Sequence, residues 1–291
     1  TVVTRFGTGK DVPADLQGQS VETTVEITVL SQKPSQPALA QDRTSLEITA
    51  VVGKEDSRKA ELRFTDAAGQ EQTVSFTKGT NGQWDKDDAN AQSTVQITNN
   101  VDGTATVHMT SGTAKVGTTV YAKQKKDNSE FSEEGSLVAK DRLNGVNATT
   151  KDDGSVDVTV PQEADKARVT YTPEGETSPK TVEITKQADG NWALPQDSGL
   201  ELRKDDATGQ VTVTVPADKV KDGTKVTGDA ESATKLSEEK EATAKAPQPN
   251  EFSEHVRDNG DVELTIPQNA DSATINYQVS DTEIKTVTLT K

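Results

Sequence analysis

Gly154-Ser-Val156-Asp-Val158-Thr-Val160-Pro161, followed by Ala164-Asp-Lys-Ala167-Arg-Val169-Thr-Tyr171, is the stretch on which the fold turns. Val156, Val158 and Val160 alternate with Asp157 and Thr159. A period of two sends one set of side chains inward and the other outward, the mark of a strand with one buried face. Threonine suits the outer face, because its β-branch favours a strand while its hydroxyl stays wet. The same arrangement returns downstream as Val262-Glu-Leu264-Thr-Ile266-Pro267, then Ala270-Asp271-Ser-Ala273-Thr-Ile275-Asn-Tyr277. Tyr277 lies 106 positions after Tyr171. Thr181-Val182-Glu-Ile184-Thr185-Lys186 is matched in turn by Thr286-Val287-Thr-Leu289-Thr290-Lys291.

Working outward, an earlier and more diverged copy emerges. Ala60-Glu-Leu62-Arg-Phe64 stands for Ala167-Arg-Val169-Thr-Tyr171, and Thr73-Val74-Ser-Phe76-Thr77-Lys78 precedes Gly82-Gln-Trp84 as Thr181–Lys186 precedes Gly190-Asn-Trp192. The chain has 2 Trp, and each holds the same place in its copy. The second half of the unit repeats as well. Thr94-Val95-Gln-Ile97 with Thr104-Ala105-Thr-Val107-His-Met109 parallels Leu200-Glu-Leu202 with Val211-Thr-Val213-Thr-Val215, and Phe131-Ser132-Glu133-Glu134 parallels Leu236-Ser237-Glu238-Glu239. Val12-Pro13-Ala14-Asp15 matches Val215-Pro216-Ala217-Asp218. Self-similarity at a fixed period is the signature of a repeat array. The expected division is therefore 1–41 as the C-terminal part of a repeat, 42–142 as a diverged repeat, 143–248 as a repeat, and 249–291 as the N-terminal part of a further one. The start of the 42–142 unit is about eight residues short against its neighbour, so its first strand is not placed by sequence.

Turn signals separate the strands at Asn81-Gly82, Asp102-Gly103, Asp153-Gly154, Asp189-Gly190, Asp222-Gly223 and Asn259-Gly260. Such pairs supply the positive φ of tight hairpins. No window keeps a helical stripe, and the Ala/Glu/Lys-rich stretch 238–246 is too poor in apolar residues to dock one. Several short strands per 106-residue period predict an all-β chain of tandem immunoglobulin-like β-sandwiches, arranged as an elongated rod. Each Trp is expected to plug one core. Pro161 and Pro267 at strand ends suggest edge positions. The pairs Pro34/Pro37 and Pro247/Pro249 read as short stiff linkers.

Composition fits several small cores and not one large one: 30% of residues are hydrophobic and 3% aromatic. With 32 basic and 48 acidic side chains the net charge is −16. An acidic surface repels phosphate backbones and anionic lipid, so neither nucleic acid nor a membrane is expected as a partner. No apolar run approaches the length of a membrane helix. The chain has 0 Cys, in keeping with export without reliance on oxidation. It opens without Met and shows neither a signal peptide nor a sorting signal, and so reads as an internal fragment.

Candidates for chemistry dissolve one by one. His108 and His255 fall in different units at non-equivalent places and read as solvated histidines, whereas catalysis or metal binding needs convergence. Gly7-Thr-Gly9-Lys10 lacks the strand–loop–helix context of a phosphate loop. Asp85-Lys-Asp87-Asp88 with Asn90 resembles a calcium loop, but has no Gly at the sixth position and Gln96 at the twelfth. Asp152-Asp153 and Asp205-Asp206 lie beside turns. Solvated turn carboxylates are the plain reading of all three, with calcium at inter-domain seams as the alternative. Glycoside chemistry would need aromatics to wall a cleft, and the 2 Trp, 3 Tyr and 5 Phe are mostly spoken for as core. A Lys–Asn or Lys–Asp isopeptide staple would need a buried carboxylate, and none is identifiable in the sequence. No catalytic, cofactor-binding or metal residue is assigned, and the chain is expected not to be an enzyme.

The runs Gly154–Pro161, Val169-Thr-Tyr171-Thr-Pro173, Lys180–Lys186 and Val215-Pro-Ala-Asp-Lys-Val220-Lys-Asp222-Gly223 resemble the tandem Ig-like repeats of cell-wall-anchored surface proteins (adhesins) of Gram-positive cocci. The resemblance implies a secreted, extracellular stalk or spacer, anchored through a region outside this fragment, that projects an adhesive region from the cell wall. The alternative it implies is a unit that itself binds a host matrix or cell-surface glycoprotein, or self-associates in biofilm. The diverged unit 42–142 is the better candidate for that, with Phe131 and Met109 as its unshared apolar residues; ordinary core packing is the competing explanation for both. As a stalk the molecule is expected to be monomeric, without cofactor.

Overall fold

The computed structural model describes residues 2–5, 13–15, 20–23, 31–247, 252–267, 270–280 and 282–291. The Gly7–Lys10 motif, Val12 and Pro249 lie outside them. Near the start of the chain, β1 (Val2–Arg5) and β2 (Ser20–Thr23) are an antiparallel pair.

The chain divides into two compact units, Thr1–Asp141 and Arg142–Lys291. In the first, β3 (Ala38–Gln41), β4 (Ile48–Val52), β8 (Val95–Asn99) and β9 (Ala105–Met109) form one sheet in the order β3-β4-β9-β8. A second sheet runs β11-β10-β5-β6-β7, from β5 (Lys59–Thr65), β6 (Glu71–Lys78), β7 (Trp84–Lys86), β10 (Thr119–Lys125) and β11 (Gly135–Val138). The first strand, which the sequence left unplaced, is thus Ala38–Gln41; it pairs with β4 and lies before residue 42, where the sequence reading started the unit.

The second unit repeats this order. β13 (Asn147–Thr150), β14 (Val156–Val160), β18 (Glu201–Lys204) and β19 (Val211–Val215) form the sheet β13-β14-β19-β18. Facing it, the order is β12-β21-β20-β15-β16-β17. The members are β12 (Asp141–Arg142), β15 (Lys166–Tyr171), β16 (Lys180–Lys186), β17 (Trp192–Ala193), β20 (Lys225–Glu231) and β21 (Lys235–Leu236), with β22 (Lys240–Thr243) also on β20. Two further hairpins follow, β23 (Ser253–Val256) with β24 (Val262–Thr265), and β25 (Ser272–Ser280) with β26 (Glu283–Thr290). β23, β24 and β25 each begin 106 residues after β13, β14 and β15. Two short 3₁₀ turns, Lys54–Asp56 and Ala217–Lys219, complete an all-β chain whose paired sheets are those of a β-sandwich.

Alternation explains the two cores. Val156, Val158 and Val160 point inward from β14 and meet Val211, Val213 and Val215 of β19, together with Ala167, Val169 and Tyr171 of the facing β15. In the first unit, Ile48, Ala50 and Val52 of β4 and Val107 of β9 meet Leu62 and Phe64 of β5, Phe76 of β6 and Trp84. Removing this apolar surface from water is the main stabilising term, at roughly 25 cal/mol per Å².

Two expectations change. Trp84 is fully buried, but Trp192 is only partly buried at the margin of its core. Gly53, at φ +89°, follows β4, and a Cβ there would stand 2.9 Å from Trp84 Nε1. The equivalent residue after β14 is Pro161. Nor is Pro161 at a sheet edge: β14 lies between β13 and β19. The proline ends a central strand, where its missing donor costs no ladder bond.

Candidate functional sites

Each singled-out residue has a place. Met109 is buried in the first core. His108, next to it on β9, faces outward, with Nδ1 3.3 Å from a Glu47 carboxylate oxygen. His255 is exposed on β23. The structure does not bring the two histidines together within one unit. Among the described residues no group of three or more His, Cys, Asp or Glu side chains could hold a metal ion, and no helix is long and apolar enough to cross a membrane.

The turn carboxylates have a shared structural task. Asp102 Oδ1 accepts from the Thr104 amide at 3.0 Å and from its hydroxyl at 2.6 Å. Asp153 Oδ1 accepts from the Ser155 amide and hydroxyl at 2.9 and 2.5 Å. Asp189 Oδ1 accepts from the Asn191 amide at 2.9 Å. Asn81 and Asn259 do the same for the amides of Gln83 and Asp261. The glycine between lies at φ near +80° every time. An Asx side chain thus closes the turn that the glycine allows. Hydrogen bonds from Thr104, from Ser155 and from Asn191 hold the carboxyls of Asp102, Asp153 and Asp189 below the ordinary range. Asp205 is lowered likewise by the amides of Ala207 and Thr208. Asp88 Oδ1 accepts from the Asn90 amide at 2.9 Å, so the supposed calcium loop is also a capped turn.

The repeated Phe/Leu-Ser-Glu-Glu sequence has a mechanical role. The Ser132 amide donates to the Gln124 carbonyl at 2.8 Å, and Ser132 Oγ accepts from the Gln124 amide at 3.1 Å. Ser237 forms the same two bonds with Ala230, at 2.9 and 2.8 Å. One serine therefore clamps the crossing onto β10 and β20 by satisfying both backbone groups. Gln124 goes further. Its buried Oε1 accepts from the Gly53 amide at 2.8 Å, and its Nε2 donates to the Ser35 carbonyl at 2.8 Å. Nothing in the sequence marks this residue, because Ala230 stands at its equivalent.

The outer face of the first unit's β11-β10-β5-β6-β7 sheet carries side chains that the second unit does not repeat. Arg63 lies 4.2 Å over the Tyr121 ring and 3.1 Å from a Glu134 oxygen. Lys123 and Lys125 lie 4.6 and 5.0 Å from the centre of the Phe131 ring, which is half-buried. These are cation–π distances. In the second unit Tyr121 and Arg63 become Thr227 and Thr170, and Leu236, in the place of Phe131, is buried. The cross-strand pair Glu61–Lys123, at 3.0 Å, reappears as Arg168–Asp229, at 3.0 Å, with its charges exchanged. The chain's chemistry among the described residues is thus turn closure, strand clamping and surface ion pairing, with one aromatic–cationic face. Compared with protein-family models and with curated proteins, the sequence gives no match to either.

Proposed function

We propose that this chain is a non-catalytic stalk: tandem immunoglobulin-like units of an extracellular, cell-wall-anchored surface protein that carry an adhesive region outward. One observation supports the reading above all. Two successive units share a strand order, and their polar side chains are spent on turns and clamps that hold that order. The sheet orders β3-β4-β9-β8 and β11-β10-β5-β6-β7 support the reading, since an immunoglobulin-type sandwich sets four strands against three or more. The net charge of −16 keeps such a chain soluble and discourages sticking to its neighbours.

A second reading, a unit that itself grips a host glycoprotein, is favoured by the Arg63/Tyr121 and Lys123/Lys125/Phe131 face, which the second unit lacks. Small-angle scattering extrapolated to zero concentration, with and without calcium, tests the stalk. A rod spanning on the order of 100 Å, indifferent to calcium, is expected from three strand-length units in series. A compact particle would overturn it. Saturable binding of a matrix glycoprotein that is lost on Phe131→Ala would move the function to that face.

A further inference from the structure

Lys59 on β5 and Lys125 on β10 are cross-strand partners on the outer face of the first unit's sheet. Like charges set directly opposite each other destabilise a strand pair. The second unit shows the ordinary arrangement. Lys166 stands in the place of Lys59 and is opposite Glu231; its Nζ also lies 3.1 Å from a Glu183 oxygen on the neighbouring strand. Both counter-charges are gone from the first unit. Lys125 replaces Glu231. Ser75, opposite Glu61 as Glu183 is opposite Arg168, replaces Glu183. Among the described residues neither ammonium group has a salt bridge or hydrogen bond; Lys125 rests on the Phe131 ring, 5.0 Å from its centre.

The surrounding face is cationic as well. The outward positions of β5 and β10 hold Lys59, Arg63, Lys123 and Lys125 against Glu61, four positive charges to one negative. Their equivalents on β15 and β20 hold Lys166, Arg168 and Lys225 against Asp229 and Glu231, three to two. Lys123 is tied to Glu61 at 3.0 Å and Arg63 to Glu134 at 3.1 Å, which leaves Lys59 and Lys125 as the pair without a counter-ion. This surplus sits in a chain whose net charge is −16.

We propose that Lys59 and Lys125, with Phe131 beneath Lys125, bind an acidic glycan, a linear saccharide whose sugars carry sulfate or carboxylate groups. It deepens, and rests on, the reading in which the first unit itself grips a glycoprotein. Three features favour this partner. The cations recur roughly 7 Å apart along a strand and about 5 Å apart across strands, which suits a chain with regularly repeated charges. A peptide would need an anchoring groove or a free strand edge, whereas β5 and β10 are interior strands, paired on both sides. Duplex nucleic acid spreads its phosphates over a surface wider than two strands and would meet the acidic remainder of the molecule; a single saccharide chain is narrow enough to lie along the strip. The Phe131 ring holds Lys125 in place, so less side-chain freedom is lost on binding.

Surface plasmon resonance of the full chain over immobilised glycosaminoglycans, one sulfated and one bearing carboxylates alone, tests the proposal. The expected result is saturable binding to at least one of them that weakens as salt rises, with none to uncharged dextran. Lys125→Glu, which writes the second unit's residue into the first, should weaken binding at least tenfold, as should Lys59→Gln, while Lys225→Gln on the second unit leaves it unchanged. Lys125→Glu also exchanges a repulsion for a pair of the Lys166–Glu231 kind, so its thermal midpoint should hold or rise, and Trp84 emission checks that the unit is folded. Absence of saturable binding to both glycans, binding that Lys125→Glu leaves intact, or equal retention of duplex DNA would each overturn the proposal. A glycoprotein passed over the chain before and after enzymatic removal of its glycans separates the proposal from the reading beneath it. Binding lost with the glycans agrees with both; binding that survives their removal sinks the glycan site and leaves the first unit a binding module.

Discussion

Gly228 on β20 sits against Val158 on β14, so closely that a Cβ at 228 would stand 2.3 Å from Val158 Cγ1. The equivalent pair in the first unit, fixed by the strand registers, is Ala122 and Ala50. The two units thus divide nearly the same volume differently across the sheets, Val with Gly in one and Ala with Ala in the other. Gly228→Ala alone overpacks this contact and should destabilise the second unit by about 1–2 kcal/mol, after the favourable effect of alanine on the unfolded chain. Val158→Ala alone removes two buried methyls and leaves a cavity, at about 2 kcal/mol. Added independently, the two would cost roughly 3–4 kcal/mol. The double variant recreates the Ala–Ala pair, and its deficit of one carbon, about 0.8 kcal/mol, is offset by the glycine replacement. It should therefore lie within about 1 kcal/mol of the parent, a coupling of roughly 2–3 kcal/mol. Urea unfolding followed by Trp192 emission in a Trp84→Phe background reads the second unit alone. With a slope near 1–2 kcal/mol per M, each single variant lowers the midpoint by about 0.5–2 M. Losses that add to within about 0.5 kcal/mol would show that the contact does not set the packing.

Trp84→Ala should cost the first unit about 3–5 kcal/mol, and Trp192→Ala roughly half of that in the second, since Trp84 is enclosed and Trp192 marginal; equal losses by calorimetry would contradict the burial difference. Gln124→Ala strands the Gly53 amide and the Ser35 carbonyl, and should lower first-unit stability by about 2–4 kcal/mol, with faster amide exchange at Gly53 as the local signature. The carboxyls of Asp66, Asp102, Asp153, Asp189 and Asp205 are held below their ordinary range by hydrogen bonds. A depressed folded pKa contributes stability above the unfolded value of about 3.9 and loses it as pH falls through the lower folded values. Thermal midpoints should be flat above about pH 5 and fall below about pH 4, less steeply in Asp102→Asn; a midpoint unchanged down to pH 2 would remove the turn carboxylates from the stability balance.

Periodicity made the strands readable because burial on one face leaves a period of two in the side chains. Val156–Val160 and Val211–Val215 are strands in the structure as in the pattern, and Asn-Gly and Asp-Gly mark turns because positive φ admits few other residues. What the sequence concealed are relations across the core. The glycine at 228 looks like a strand defect until Val158 is seen opposite. Glu61 and Arg168 appear unrelated until their partners Lys123 and Asp229 show one ion pair with reversed sign. Trp192 shares its place in the repeat with Trp84 but not its depth of burial. The first strand at Ala38–Gln41 escaped because the start of the 42–142 unit is shorter than its neighbour's, so no register carried over to place it.

The Asx-Gly turns also give the molecule an ageing rate. Glycine is chosen at 82 and 260 because it has no side chain, and the same bareness leaves its backbone nitrogen open to attack the preceding asparagine amide. Succinimide closure at Asn81 or Asn259, with the side-chain nitrogen leaving as ammonia, and ring opening by water would yield aspartate, which the turns at Asp102, Asp153 and Asp189 already accommodate, or isoaspartate, whose extra backbone methylene moves the acceptor away from the amide of Gln83 or Asp261. The first product makes one more acidic hairpin of a kind the chain already contains; the second is a hairpin that can no longer close.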